Sequence, residues 1–135
     1  MTAAAGRPFG WTLLELLVVL ALVGVISGWS LPLAKGMMQR AQRSQARLTL
    51  LQLSHWLERY ASAQGRYPDA LPASAWDANG LHYQITYTAQ AQSFVLLAVP
   101  LPPQAGDPCN TFSLDHQGIR GVRQARWTAE LCWSR

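Results

Sequence analysis

The chain has 135 residues, 50% of them hydrophobic and 13% charged, with a formal net charge of +4 and a pI near 9.6. Part of that apolar bias lies in a single run near the N-terminus, and the remainder has an ordinary soluble composition. This balance leaves room for one small domain beside an apolar N-terminal run, and a net charge of +4 does not by itself select nucleic acid, an acidic surface or an acidic partner.

The first element is the run GWTLLELLVVLALVGVISGWSLPLAK, Gly10 to Lys35. From Leu16 to Ala34 it carries no charge over 19 residues. As a helix, Trp11 to Pro32 would span roughly 33 Å, enough for a hydrocarbon core. A cleavable secretory signal has a shorter apolar stretch and a small-x-small cleavage site. Pro32-Leu33-Ala34-Lys35 offers no such site. An ordinary anchor explains the length but not Glu15, because an acid costs roughly 3 kcal/mol near the bilayer centre and less toward its edge. Basic residues count against export: Lys35, Arg40, Arg43 and Arg47 follow the run and only Arg7 precedes it. Taken alone, that count places the C-terminal side in the cytoplasm.

The order Phe9-Gly10-Trp11-Thr12-Leu13-Leu14-Glu15, followed by the apolar run, resembles the class III signal of type IV prepilins. The resemblance implies a leader of residues 1–10, cut by prepilin peptidase between Gly10 and Trp11, with N-methylation of Trp11. It implies an assembly role for Glu15, and it overrides the charge count. The expected location is the inner membrane, as a single-pass protein with a periplasmic C-terminal domain, and then a cell-surface pilus. The implied partners are other pilin subunits, the peptidase, the inner-membrane assembly platform and membrane lipid. Gly24 and Pro32 match a glycine and a proline common in that family's helix, whereas Trp11 stands where phenylalanine is usual. Physically, cleavage frees an ammonium on Trp11. In a filament that amine can lie beside Glu15 of a neighbour, so that each charge offsets the other's burial cost.

Pro32 is expected to kink or locally melt the helix. Helix formers continue from Lys35 to Gln64, and Leu50, Leu53, Leu57 and Tyr60 recur at helical spacing, flanked by Ala46 and Trp56. This stripe should lie on a sheet, while Arg40, Arg43 and Arg47 fall on a different face, expected to be solvated or near lipid headgroups. The reading divides the helix into a transmembrane, assembly half over 11–33 and an amphipathic half over 34–64. Gly65 to Gly80 reads as a loop that opens with a glycine and proline stop signal. Leu81–Thr88 and Ser93–Val99 read as strands around a turn at Ala89–Gln92. Thr111–Leu114 is a third strand, Asp115–Gly118 a turn, and Ile119–Val122 a fourth strand. A long helix followed by an antiparallel meander makes the fold class α+β, and the resemblance implies the pilin fold.

In the tail, Asp107 to Asp115, Gly118 and the closing Cys132-Trp133 are similar to the C-terminal segment of PilE-type minor pilins. That similarity implies a disulfide between Cys109 and Cys132, making 65–135 a loop and sheet with a disulfide-closed end. Two free buried cysteines are the alternative. Arg120, Arg123 and Arg126, with Trp127 and Trp133, fall inside that segment; arginines contact phosphates and aromatic rings stack on bases, so the tail is a candidate DNA surface. A solvated basic loop is the plainer alternative. His55, His82 and His116 have no partner at metal-ligand spacing, so neither a metal nor another cofactor is expected. Glu58 or Asp115 beside a histidine could be drawn as an acid–base pair, but no nucleophile motif or phosphate loop accompanies it, and no enzyme is expected. The leading expectation is a minor type IV pilin with a structural or assembly-priming role. The alternatives are a DNA-receptor pilin for transformation and a pseudopilin of type II secretion.

Overall fold

The computed structural model describes residues 10–76 and 80–134. The expected leader therefore lies outside the described residues except for Gly10, as does part of the loop from Gly65 to Gly80. Helix α1 covers Leu13–Gln64, and the chain divides into two compact units with the boundary after Gly36.

In the first unit, Leu13, Leu14, Leu16, Leu17, Leu20, Leu22 and Val23 are all exposed. Among the described residues, no helix is long and apolar enough to cross a membrane. The transmembrane first half expected from the sequence is therefore not supported by the structure. Of the kink or local melting expected at Pro32, the melting is not seen. The helix runs through that position without interruption, because proline removes one backbone donor while the flanking residues keep theirs.

The second unit, called the head below, is built on the rest of α1. Ala46, Leu50, Leu53 and Leu57 are fully buried, and Trp56 and Tyr60 stack on one another at the edge of that stripe. Gly65 ends the helix in the left-handed region, φ 74°, where a Cβ would be strained. A four-stranded antiparallel sheet follows, in the order β1 (Tyr83–Gln90), β2 (Ser93–Pro100), β3 (Thr111–Asp115) and β4 (Arg120–Arg123). Alternation sets its inner face. Tyr83 on β1, Phe94, Leu96 and Ala98 on β2, and Phe112 and Leu114 on β3 are buried, whereas Gln84, Thr86, Thr88 and Gln90 are exposed. These inner residues form one core with the helix stripe, Leu81, Cys109 and Cys132.

β1 starts two residues later than expected and ends two later, because Gln90 pairs with Ser93 and leaves only Ala91-Gln92 for the turn. The β3–β4 turn forms at Asp115–Gly118. Asp115 Oδ1 accepts the N–H groups of Gln117 and Ile119, both at 2.9 Å, and Gly118 takes φ 76°. A short second helix, α2 (Ala129–Ser134), closes the chain where no element was expected.

Candidate functional site

Two places carry the candidate residues. At the start of α1, Gly10 and Trp11 are exposed, Trp11 to 71%. Thr12 caps the helix: its Oγ1 accepts the Glu15 N–H at 3.3 Å. Glu15 is exposed in the first turn, where the helix dipole favours a negative charge. No ion pair among the described residues involves it. The cost of this acid is thus met in part within one chain, a contribution that reading it only as an assembly residue missed. Thr12-Leu13-Leu14-Glu15 has the spacing of a capping box, so the signal was present in the sequence.

The second place is the tail. Cys109 and Cys132 are joined by a disulfide, with their Cα atoms 5.7 Å apart, and both are fully buried. Beside it lies a buried polar cluster. Arg43 Nε donates to Asp107 Oδ2 at 2.7 Å, with the two side chains 5% and 0% exposed. Asp107 Oδ1 accepts the Cys109 N–H at 2.8 Å, and Gln104 Nε2 donates to Asp107 Oδ2 at 3.2 Å and to the Gln39 carbonyl at 3.1 Å. Arg43 also lies 5.2 Å from the centre of the Trp127 ring and places Nη1 3.8 Å from Cys109 Sγ. One helical turn on, Arg47 Nη1 donates to the carbonyls of Cys132 at 3.2 Å and Trp133 at 2.7 Å. Burial, and then the Arg43 charge, lower the Arg47 pKa below its ordinary value.

These contacts correct the expectation that Arg40, Arg43 and Arg47 form a solvated or lipid-facing row. Only Arg40 is exposed. The other two turn inward because the tail offers a carboxylate and the end carbonyls of α2, which a short helix leaves without intrahelical donors. Tyr83 Oη is buried beside this cluster with no hydrogen-bond partner among the described residues. Burial, and then the Asp107 carboxylate, push its pKa up to about 12; the Gln104 amide lies near enough to offset part of this without reaching hydrogen-bond geometry.

The three candidate DNA-contact arginines are exposed but not gathered. Arg120 and Arg123 lie three residues apart on the edge strand β4, so their side chains leave opposite faces of the sheet. Arg120 stacks over Trp133 at 5.4 Å. Trp133 in turn meets Phe112 edge-on at 5.7 Å and donates Nε1–H to the Gly121 carbonyl at 3.0 Å. Arg126 Nη2 donates to the Gly106 carbonyl at 3.1 Å. Trp127 is 38% exposed and offers the more open ring. The imagined acid–base pairs find other work: Glu58 accepts the Tyr67 hydroxyl at 2.9 Å, and Asp115 holds its turn.

A helix lying on an antiparallel sheet and closed by a disulfide-tied tail is the architecture of a type IV pilin. A solved type IV pilin from Shewanella oneidensis is similar at 36% identity, with a TM-score of 0.54, over 67% of this chain and 98% of that one. The non-core minor pilin PilV of Neisseria meningitidis is similar in fold at 22% identity and a TM-score of 0.56, over 69% of this chain and 94% of that one. The chain belongs to the type IV minor pilin family: the profile described as "Type IV minor pilin ComP, DNA uptake sequence receptor" matches residues 32–113, more than half of its length. No curated protein sequence matches the chain.

Proposed function

We propose that this minor pilin is a structural or assembly-priming subunit of a type IV pilus, cut after Gly10, N-methylated on Trp11, and held in a filament through its N-terminal helix half. The observation that supports this reading is the exposure of Leu13, Leu14, Leu16, Leu17 and Leu20 on the same helix that buries Leu50, Leu53 and Leu57 in the head. Apolar area of that kind gains by association with like helices. Before assembly, the uncharged run from Leu16 to Ala34 rests in the inner membrane with the head in the periplasm; this part of the reading rests on the sequence alone. Prepilin peptidase and the assembly platform are its partners there. In the filament, the Trp11 amine of one subunit meets Glu15 of the next. Glu15→Ala and Glu15→Lys should leave processing intact and reduce incorporation into filaments. Normal incorporation of either variant, or a mature protein that still begins at Met1, would refute it.

A second reading is favoured by the family description, which names a DNA uptake sequence receptor. In this reading the head binds DNA through Arg120, Arg123 and Arg126, with Trp127 available for stacking. The matched residues end at 113, so the tail arginines are a feature of this chain beyond the match. Replacing all three by glutamine should weaken DNA binding and flatten its salt dependence, by a slope of about 0.9 for each phosphate no longer neutralised. Absence of binding at low ionic strength would end this reading.

A further inference from the structure

We propose that two arginines of α1 latch the C-terminal tail in place without help from the disulfide, so that the dithiol chain already holds Cys109 beside Cys132 and oxidation locks a tail that is docked. Arg43 and Arg47 are four residues apart and therefore share a helix face. Each reaches one end of the segment that the disulfide closes. Arg43 binds Asp107 at 2.7 Å, and Asp107 in turn holds the Cys109 N–H at 2.8 Å. Arg47 binds the carbonyl of Cys132 itself and that of Trp133. The segment between is tied independently, through Trp133 Nε1 to the Gly121 carbonyl and through the Arg126 N–H to the Pro108 carbonyl at 2.8 Å.

None of these ties passes through sulfur, and each would survive replacement of the S–S bond by two thiols. The latch is also directional. Arg43 is buried among Asp107, Cys109 and Trp127, so its place exists only when both the 104–109 segment and Trp127 are seated. A buried guanidinium without its carboxylate is strongly disfavoured, which makes partial docking costly and complete docking cooperative. Ring closure is then an exchange between preplaced groups. Two thiols give up two protons and two electrons to an external disulfide, by way of a mixed disulfide, and the oxidant leaves as two thiols. Holding the thiols together raises their effective concentration and speeds the second step.

The test uses the full chain in detergent micelles and hydrogen exchange of β4 and α2, with β2 and β3 as an internal report that the head is folded. On reduction, or in Cys109→Ser with Cys132→Ser, protection of β4 and α2 should fall by less than about tenfold. In Arg47→Met with the disulfide intact, protection of α2 should fall by more than about tenfold. Starting from the dithiol form, glutathione disulfide should close the ring in Arg47→Met at least about tenfold more slowly than in the unaltered chain. The proposal is overturned if the reduced, unaltered tail exchanges at the free-chain rate while β2 and β3 stay protected. It is overturned equally if Arg47→Met closes as fast as the unaltered chain. Should Arg47→Met fail to fold, Arg47→Lys, which keeps the charge but not the two-carbonyl reach, should give an intermediate loss, and the reduced unaltered chain decides the question without either variant.

Discussion

One helix runs through two regimes of burial. Over Leu13–Val23 its leucines and valines face outward, and over Ala46–Leu57 the buried stripe of Ala46, Leu50, Leu53 and Leu57 has no exposure at all. Both halves are helical, so secondary structure does not distinguish them. Their partners do: the second half shares its unit with four strands whose alternating residues present an inner apolar face, and the unit that holds the first half has no strand among its described residues. The comparison teaches that an apolar helix is not a core by itself. It becomes one where the chain returns to cover it, and otherwise its covering comes from another molecule.

The largest effect is expected inside the head, at the buried pair. Asp107→Leu leaves the Arg43 charge without its partner and should cost about 3–5 kcal/mol in denaturant unfolding; adding Arg43→Met should restore most of it. A single variant as stable as the unaltered chain would show that the cluster is not desolvated as described. Next comes a matched pair of truncations. Leu53→Ala should cost about 2–5 kcal/mol in the head. Leu17→Ala should change subunit stability by less than about 0.5 kcal/mol and act only on assembly. Equal losses in the two would break the comparison between the halves.

The third expectation concerns alkaline pH. Tyr83 keeps its proton to about pH 12 in the fold, against an ordinary value of 10.0. Below pH 10 both folded and unfolded chains are protonated, so the group adds no slope. Between these values only the unfolded chain loses the proton, and stability should fall by about 1.4 kcal/mol per pH unit. Tyr83→Phe should remove that slope and, because the hydroxyl has no partner among the described residues, cost little at neutral pH. Titration of unfolding free energy from about pH 9 to about pH 12 checks both. A local effect is expected at the helix start: Thr12→Ala removes a cap worth about 1 kcal/mol and should fray the first turn without moving the head's melting point. Amide exchange of Glu15 and Leu16 reads it.

The stripe Leu50, Leu53 and Leu57, the alternation of β1 and β2, and the Asp115–Gly118 turn were legible because each is a local pattern with one physical meaning. Gly65 signalled the helix end for the same reason. Arg43 and Arg47 were not legible. Their spacing on a basic helix face suggests solvent, and the groups that draw them inward lie 64 to 86 residues away in sequence. Helix α2 was missed because six residues carry too little periodicity to announce themselves. The tail arginines were legible as a charge cluster but not as a scattered one. Arg120 and Arg123 part company because a three-residue step separates side chains on a strand; the strand expected over Ile119–Val122 stops one residue short of Arg123, which the structure includes in β4.

The bonds at Thr12 have a consequence for the proposed cleavage after Gly10. The N–H of Glu15 and that of Leu16 both close on Thr12, at its carbonyl 3.1 and 3.2 Å away. These opening bonds of the coil are written entirely downstream of Gly10. A peptidase severing the chain there would take none of them away, so the trimmed subunit would keep its first turn, with a new positive terminus only one residue ahead of its cap.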